Sequence, residues 1–416
     1  MSASTATMWP GLATAPRAPL SATVARRIFE RAIRLVPVQV RYPDGSSHGD
    51  TGTDTPVLEL VRPDAFFARL GRDTKIGFGE AYMAGDWKAG AGTDLADLLT
   101  PFAARLTSLV PPALQRLRGL VDRRLPAEQD NSIGGSRSNV AAHYDLSNEL
   151  FASFLDPTMT YSCAWFDDTS ADGDLMLERA QERKIDAVLD LAHVRAGTRL
   201  LEIGTGWGSL AVRAAQRGAD VTTITLSQEQ RRFASARVRE AGMADRVDLR
   251  LQDYREVEGR FDAVVSVEMI EAVGESYWPT YLSALDRLLA PGGTVGIQTI
   301  TMAHDRLLAT RHSFGWIQKY IFPGGLIPSV PAIEQNLRSH TTLRVSGSRE
   351  LGPHYARTLH LWRERFLQQW PQVRGQGFDE TFRRMWEFYL AYCEAGFRSE
   401  YLGVSQLQLT RRPSWA

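Results

Sequence analysis

The chain has 416 residues, of which 44% are hydrophobic, and its 48 basic and 48 acidic side chains give a formal net charge of zero. This is the composition of an ordinary globular protein of one elaborated domain or two domains, and it lacks the basic excess expected of a nucleic-acid-binding protein. No apolar run of about 18 residues is present, so no transmembrane helix is predicted. Only Cys163 and Cys393 occur, which excludes a disulfide framework and a cysteine zinc site, so we expect no metal and a reduced cytoplasmic compartment.

The N-terminal segment predicts a tail followed by a charged helix. Residues 1–22 are rich in Pro, Ala and Thr and lack the apolar stretch of a secretory signal, so we expect them to be disordered. Residues 24–36 have apolar side chains at helical spacing. The polar side of this helix carries Arg26, Arg27, Arg31 and Arg34. These arginines form either a solvated face or a surface attracted to anionic lipid headgroups.

Short elements continue to about residue 127 and predict a small α+β N-terminal domain. Strands are predicted at 38–42 and 57–61 around a Pro-Asp-Gly turn, helices at 63–70 and 94–106, and a packed irregular loop at 77–87. Residues 128–138 have the composition of a linker. The predicted organisation is therefore a domain over 23–127, a linker over 128–138 and a second domain over 139–416.

The second domain alternates strands and helices. Strands are predicted at 200–203, 221–225, 247–251, 261–267, 294–300 and 404–409, with helices between most of them. This alternation predicts an α/β fold with a parallel sheet and helices on both faces. Residues 301–348 interrupt the alternation with an apolar stretch. This insertion is either a lid or acyl-chain tunnel, or a cap on the core.

The stretch 199–215 predicts a nucleotide-binding turn. An apolar strand ends in Glu202-Ile-Gly204-Thr-Gly206-Trp-Gly208, and a helix follows directly. Glycines let a ligand approach the backbone, and the free N–H groups at the helix start face that ligand. The glycine spacing is one residue shorter than in a dinucleotide-binding fingerprint. A purely structural turn is the alternative.

The Glu-x-Gly-x-Gly-x-Gly pattern resembles the first motif of class I S-adenosylmethionine methyltransferases. Six further segments look like those of cyclopropane-fatty-acyl-phospholipid synthases, at 79–87, 143–148, 161–164, 251–254, 320–325 and 395–398. The resemblance implies a Rossmann-like seven-stranded sheet with helices on both faces, plus a small α+β N-terminal domain. It also implies S-adenosylmethionine as cofactor, held by residues around the glycine turn. These residues are Tyr161, Ser162, Glu202, Gly204, Gly206, Trp207, Gly208, Thr225, Leu226, Ser227, Gln230, Asp253 and Tyr254.

The same resemblance implies methyl transfer to a cis double bond in an acyl chain of a phospholipid. The alkene is a weak nucleophile, attack leaves a carbocation, and a base must then remove a proton. Family members hold a bicarbonate ion as that base. The positions of this chain that match the bicarbonate site are Cys163, Glu271, Gln298, Ile300 (through its backbone N–H) and Tyr355. A buried hydrophobic role for Cys163 and a packing role for Tyr355 are the alternatives.

One position departs from the family pattern. Gln298 stands where the family often has histidine, and glutamine can donate a hydrogen bond to an anion but cannot exchange a proton near neutral pH. The product is therefore left open. Ring closure to a cyclopropane is the family default, and a methylene or 10-methyl-branched chain made with a separate reductase is the alternative. A lipid-binding homologue without catalysis and a methyltransferase for small molecules are the other hypotheses.

The resemblance also implies where the protein acts. We expect a cytoplasmic enzyme that is peripheral at the inner face of the membrane and binds phospholipid with an unsaturated acyl chain. Dimerisation through the N-terminal domain is an expectation by analogy alone. No nucleic-acid partner is expected.

Overall fold

The computed structural model describes residues 9, 11–105, 126, 131–132, 134–136, 147–167 and 174–413. The elements before residue 106 are α1 (Pro19–Ile33), β1 (Gln39–Arg41), β2 (Ser47–Gly49), β3 (Val57–Leu60), α2 (Pro63–Arg72), α3 (Gly77–Ala84), β4 (Trp87–Ala89) and α4 (Leu95–Ala104). The linker predicted at 128–138 and the segment 143–148 lie largely outside the described residues.

The elements from 148 to 302 are α5 (Asn148–Phe154), α6 (Asp174–Leu191), β5 (Arg199–Ile203), α7 (Ser209–Gln216), β6 (Asp220–Thr225), α8 (Gln228–Glu240), β7 (Val247–Leu251), β8 (Phe261–Val267), α9 (Ile270–Val273), α10 (Trp278–Leu288) and β9 (Leu289–Met302). The remaining elements are α11 (His304–Thr310), α12 (Trp316–Tyr320), α13 (Val330–His340), β10 (Leu343–Glu350), α14 (Gly352–Gln368), α15 (Trp370–Gly375), α16 (Glu380–Arg398) and β11 (Leu402–Arg411). Short 3₁₀ turns lie at Tyr254–Glu256 and Glu275–Tyr277.

The chain divides into two compact units whose segments interleave. The first unit comprises Met1–Arg124, His312–Ile321 and Leu359–Tyr401, and the second comprises Leu125–Arg311, Phe322–Thr358 and Leu402–Ala416. This division differs from the contiguous second domain that we expected over 139–416, and it splits the insertion at 301–348. Hydrophobic periodicity shows that a segment is buried but not which core it joins, so the sequence alone did not show the interleaving.

In the first unit, helix α16 packs against α3 and α4. The unit also contains a four-stranded sheet in the order β2-β1-β3-β4. The turn after β1 leads into β2, which pairs antiparallel with β1, while β3 pairs with β1 in parallel. We had predicted strands only at 38–42 and 57–61. All three residues of β2 are exposed, so that strand carries no apolar signal.

Helix α3 corrects the irregular loop predicted at 77–87. Glycine disfavours helix interiors, but here two glycines are required by close packing. A Cβ atom at Gly77 would lie 2.2 Å from the carbonyl oxygen of Arg69, and one at Gly79 would lie 2.6 Å from the indole of Trp316. Gly85, at φ 75°, then ends the helix in the left-handed conformation.

The N-terminal segment is more ordered than we expected. Helix α1 begins at Pro19, inside the tail predicted over 1–22. Leu12 is buried, and its carbonyl oxygen accepts a 2.8 Å hydrogen bond from the guanidinium of Arg69. The sequence did not predict this contact, because a single buried leucine in a segment rich in Pro, Ala and Thr produces no periodic pattern.

The second unit contains a seven-stranded sheet in the order β10-β11-β9-β8-β5-β6-β7. Strands β9, β8, β5, β6 and β7 are parallel, whereas β11 is antiparallel to both of its neighbours. The two faces are covered by separate hydrophobic clusters, one built around α10 and α13 and the other around α6 and α7. This is the α/β fold predicted from the alternation.

The order of the parallel strands reverses between β5 and β8. From β5 the chain proceeds outward to β6 and β7, and from β8 it proceeds the other way to β9. Ligands of open α/β sheets bind at such a point, beyond the carboxyl ends of the strands. The glycine turn follows β5 at this edge. Within the described ranges, no helix is both long enough and apolar enough to cross a bilayer.

Candidate active site

The glycine turn between β5 and α7 leaves its backbone accessible. Gly204, Gly206 and Gly208 have φ angles of 98°, 53° and 90°, in the left-handed region that favours glycine. A Cβ atom at Gly206 would meet no atom within 4 Å, whereas one at Gly208 would lie 2.9 Å from the Cβ of Ala234. The turn is therefore packed against α8 at its end and open at its centre. An open centre is what close approach of a ligand to the backbone requires.

Glu202 lies in β5, directly before this turn. Its side chain is buried and accepts a 2.6 Å hydrogen bond from the Thr223 hydroxyl, which also lies 2.7 Å from the Thr205 hydroxyl. Burial raises the pKa of Glu202 to about 8. The carboxyl group thus ties strands β5 and β6 to the turn itself.

The predicted ribose-side residues form a compact loop after β6. The Thr225 hydroxyl donates a 2.7 Å hydrogen bond to Oε1 of Gln230 and accepts one of 3.1 Å from the Ser227 backbone N–H. Ser227 caps helix α8 by accepting from the Gln230 N–H at 3.2 Å. Leu226 between them is partly buried. These side chains hold one another in place at the carboxyl end of β6.

The residues predicted near the adenine follow β7. Both oxygens of Asp253 accept hydrogen bonds from Arg255, at 2.8 and 2.7 Å. The Tyr254 ring packs edge-to-face on Tyr281, and its buried hydroxyl has no hydrogen-bond partner among the described residues. Desolvation raises the pKa of Tyr254 to about 12, so the hydroxyl remains a donor. An unpaired buried donor at this edge is a candidate ligand contact.

The remaining predicted cofactor residues are Tyr161, Ser162 and Trp207. The Tyr161 ring packs edge-to-face on Phe151 with ring centroids 5.3 Å apart. The Trp207 indole donates a 2.8 Å hydrogen bond to Asn148. Ser162 is buried, and its hydroxyl accepts from the ammonium of Lys184.

Three of the predicted bicarbonate ligands converge, but on a side chain that we had not named. The carboxylate of Glu268 accepts from the Cys163 backbone N–H at 2.9 Å and from the Gln298 amide at 2.8 Å, both on Oε1. The Tyr355 hydroxyl donates to the other oxygen, Oε2, at 2.8 Å. Glu268 follows the last residue of β8, next to Gln298 across the sheet. The donor set predicted for a free anion is therefore occupied by a carboxylate of the protein.

The orientation of Gln298 is fixed by the neighbouring strand. Gln406 on β11 is its register partner and donates a 3.0 Å hydrogen bond to Oε1 of Gln298. The amide nitrogen of Gln298 must then face the carboxylate of Glu268 and the carbonyl oxygen of Cys163, which lies 3.3 Å away. Both glutamines are buried, and Gln406 was another residue that we missed.

Glu271 lies nearby and differs in its partners. Its Oε1 accepts from the Ile300 backbone N–H and, at 2.9 Å, from the Thr299 hydroxyl. Its Oε2 is buried and has no hydrogen-bond partner among the described residues. Desolvation first, and the charge of Glu268 second, raise the pKa of Glu271 to about 8. Of the five predicted catalytic positions, Glu271 and Ile300 thus form one pair, and Cys163, Gln298 and Tyr355 form one set around Glu268.

Two further groups define the electrostatics. The Cys163 thiol is fully buried, which raises its pKa well above the ordinary value, and its sulfur contacts the carbonyl oxygens of Ala164 and Leu351. It is therefore a neutral thiol and not an activated nucleophile. Lys184 is buried, and desolvation lowers its pKa to about 8 against the opposing attraction of Glu268. Lys184 was missed because α6 is an ordinary amphipathic helix in sequence.

A sequence model of the mycolic acid cyclopropane synthetase family matches residues 133–407. The chain is 52% identical over 409 residues to tuberculostearic acid methyltransferase UfaA1 of Mycobacterium tuberculosis, covering 97% of this chain and 95% of that protein. It is 35% identical over 360 residues to the cyclopropane-fatty-acyl-phospholipid synthase of Escherichia coli K12, covering 85% and 87%. Among solved structures, mycolic acid cyclopropane synthase CmaA1 complexed with SAH and CTAB is 31% identical, with a TM-score of 0.60, covering 66% of this chain and 97% of that one.

Proposed function

Because the chain belongs to the mycolic acid cyclopropane synthetase family, we propose that it transfers a methyl group from S-adenosylmethionine to the double bond of an unsaturated acyl chain in a phospholipid. One observation carries the proposal. The open glycine turn after β5 and the carboxyl cluster after β8 lie at the same edge of one parallel sheet, on neighbouring strands. A methyl donor at the turn would thus lie beside carboxyl groups that can stabilise a positive charge and accept a proton.

The residues at the turn fit the cofactor. The accessible backbone at Gly206, the cap at Ser227 and the unpaired Tyr254 hydroxyl offer the polar contacts that a methionine and a nucleoside need. Glu202, buried beneath the turn, supports it and does not reach outward. When bound, S-adenosylmethionine supplies an electrophilic methyl group, and its transfer to an alkene leaves a positive charge on the neighbouring carbon. The chain must then stabilise that charge and remove a proton.

The carboxyl cluster is suited to the first of these tasks. Glu268 accepts hydrogen bonds from three neutral donors, a backbone N–H, an amide and a phenol, and the buried ammonium of Lys184 also attracts it. A carboxylate bound by neutral donors keeps its negative potential for a developing cation better than one paired to arginine. The Glu271 carboxyl, one oxygen of which has no hydrogen-bond partner among the described residues, is close enough for the charge of Glu268 to act on it.

The residues present do not fit a bicarbonate ion as predicted. The N–H of Cys163, the amide of Gln298 and the hydroxyl of Tyr355 are all used by Glu268. A further anion would lie beside the Glu268 carboxylate, where like charges in a poorly solvated site repel. We therefore derive no step through bicarbonate.

For the product we propose a methylene-branched acyl chain, which was the alternative in the sequence analysis. The 52% identity to a tuberculostearic acid methyltransferase over almost the whole chain supports it, as does the neutral Gln298. Reducing a methylene branch to a methyl branch consumes a hydride and a proton, so a separate hydride-donating reductase would complete that route. A cyclopropane remains the second candidate because of the similarity to the synthase of Escherichia coli.

We also propose that helix α1 contacts the membrane surface. Its outer face combines exposed apolar and cationic side chains at helical spacing: Leu20 (86% exposed), Val24 (56%), Arg27, Arg31 and, just after the helix, Arg34 and Leu35 (42%). Such a face suits an anionic bilayer. The test is co-sedimentation with phosphatidylglycerol vesicles, with phosphatidylcholine vesicles as the control. The double variant R27E/R31E should lose binding to the anionic vesicles, and binding equal to wild type would contradict the proposal.

The function is tested by incubating the protein with methyl-labelled S-adenosylmethionine and dioleoyl phospholipid. We expect the label in the lipid fraction and an acyl chain heavier by one CH₂. Mass spectrometry after ozonolysis then distinguishes the products, because a methylene branch is cleaved and a cyclopropane is not. Label that enters soluble small molecules but not lipid would contradict the proposed substrate.

A further inference from the structure

The backbone of Glu268 has an unusual conformation. Its φ angle is 51°, one of four positive values among the described non-glycine residues. Such a conformation costs a residue with a Cβ on the order of 1 kcal/mol, and residues that keep it are concentrated at functional sites. The backbone N–H of Glu268 donates a 2.7 Å hydrogen bond to the carbonyl oxygen of Gln298. This bond fixes the turn that directs the side chain into the donor set.

The geometry points to a role for that strained residue. We propose that the Glu268 carboxylate takes the place of the bicarbonate expected from the family and is itself the base that removes the proton after methyl transfer. The inference rests on the function proposed above. In this chain the anion is then a side chain of the protein itself, whereas in the family pattern it is a bicarbonate ion that can exchange with solvent.

The step balances without any further reactant. For a methylene branch, a hydride first shifts from the methyl-bearing carbon to the neighbouring cationic carbon, so that the charge moves to the methyl-bearing carbon. A C–H bond of the transferred methyl group then breaks, and its electron pair forms the C=C bond. Without the hydride shift, the same electron pair closes the ring. The proton moves to an oxygen of Glu268, which becomes a neutral carboxylic acid. Release of that proton to water restores the carboxylate.

Among the groups around the site, Glu268 is the one best suited to accept the proton. Gln298 and the Cys163 backbone N–H have no basic atom toward the site, and the Tyr355 hydroxyl donates to Glu268. Gln406 keeps the NH₂ end of Gln298 on the carboxylate, so Gln406 is a positioning residue. Glu271 is the other acid near the site, and desolvation together with the charge of Glu268 raises its pKa to about 8, so near neutral pH it already holds a proton.

The test compares wild type with Glu268→Gly in buffer freed of bicarbonate and in buffer with added bicarbonate. Glycine adopts a positive φ without strain, so this variant should fold, and it opens the donor set to a free anion. Wild-type turnover on dioleoyl phospholipid should be the same in both buffers. Glu268→Gly should be at least about 100-fold slower without bicarbonate and should recover at least tenfold when it is added.

Two further variants sharpen the result. Glu268→Gln keeps the shape of the side chain and fills the site, so bicarbonate should not restore its activity. Glu258→Gly removes an exposed carboxylate from a loop of the same unit and should match wild type in both buffers. Wild-type enzyme that loses activity when bicarbonate is removed, or Glu268→Gly that works at the wild-type rate without it, would overturn the inference.

A binding measurement separates this inference from the proposed function. The ¹³C NMR line of labelled bicarbonate, recorded without methyl donor or lipid, should broaden with Glu268→Gly and stay sharp with wild type. Broadening by wild type would overturn the inference even if lipid methylation is confirmed. A wild type that methylates no lipid would instead contradict the proposed function.

Discussion

Each unit of the molecule contains a cluster of buried carboxylates, one around Glu394 and one around Glu268, and the two clusters differ in their hydrogen-bond partners. In the first unit, Glu394 is fully buried and bonded to the guanidinium of Arg363, which also reaches Asp94 at 2.8 Å. His360 contacts Glu394 at 3.2 Å, and this hydrogen bond raises the pKa of the imidazole. In the second unit, Glu268 is bonded to three neutral donors, and Glu271 to two.

This difference in partners separates buried acids that stabilise the fold from buried acids that can take part in a reaction. A buried acid paired with arginine has its charge cancelled, and it fixes helices such as α4 and α16 relative to each other within their unit. A carboxylate held by neutral donors retains its potential and its capacity to take a proton, at a cost in stability. The predictions below test that distinction.

The largest effect should come from Glu271→Gln. The amide keeps the shape but cannot ionise or exchange a proton beside Glu268, so turnover should fall by a factor on the order of 10²–10⁴. Binding of S-adenosylmethionine, measured by calorimetry, should stay within a few-fold of wild type because the glycine turn is unchanged. Glu275→Gln, at a half-exposed acid nearby, is the matched control. Wild-type rates for Glu271→Gln would remove this carboxyl from the mechanism.

Breaking the paired cluster should affect stability instead. Arg363→Met removes the buried guanidinium partner of Glu394 and leaves it only the partly exposed Arg398, and the expected loss is about 3 kcal/mol in the free energy of unfolding. Urea denaturation followed by circular dichroism measures it. Arg232→Met removes an exposed arginine from a pair with Glu229 and should change stability by less than about 1 kcal/mol. Equal losses for the two variants would show that burial of the pair is unimportant.

The buried acids of the second unit should make stability depend on pH. The folded protein holds a proton on Glu202 up to about pH 8, whereas an unfolded glutamate releases it near pH 4.5. Between these values the native state binds more protons, so the free energy of unfolding should fall as pH rises. Glu202→Gln mimics the protonated form and should flatten this fall by about 1–3 kcal/mol between pH 5 and 8.5. Urea titrations at several pH values measure it, and an unchanged slope would contradict the assignment.

The smallest effect is expected at the surface. Arg199 and Asp262 form a 2.8 Å ion pair with both side chains largely exposed. Arg199→Ala should leave stability almost unchanged, since solvent screens such pairs. Thermal denaturation in low and high salt measures the difference. A loss as large as that for Arg363→Met would contradict the contrast between exposed and buried pairs.

The sequence predicted the parts of the fold that depend on local pattern. The strand before Gly204, the glycine turn and the alternation through β9 follow from periodicity and turn chemistry. The helix at Gly77–Ala84 was missed because its glycines are selected by contacts with residues distant in the chain. The assignment of 312–321 and 359–401 to the first unit depends on tertiary packing in the same way.

The candidate site was predicted only in part for a similar reason. The family pattern located Cys163, Gln298 and Tyr355, and they do meet. It gave no reason to consider Glu268, whose position becomes meaningful only when three separate segments converge on it. Two signals were available: a glutamate directly after a buried strand, and glutamines inside two apolar strands that proved to be neighbours.

The most direct test of the account uses S-adenosylmethionine with a trideuterated methyl group and dioleoyl phospholipid, followed by mass spectrometry of the modified acyl chain. Removal of a proton from the transferred methyl group predicts that two of the three deuterium atoms remain in the product. An acyl chain that keeps all three would contradict deprotonation at that carbon and with it the role of the carboxyl cluster.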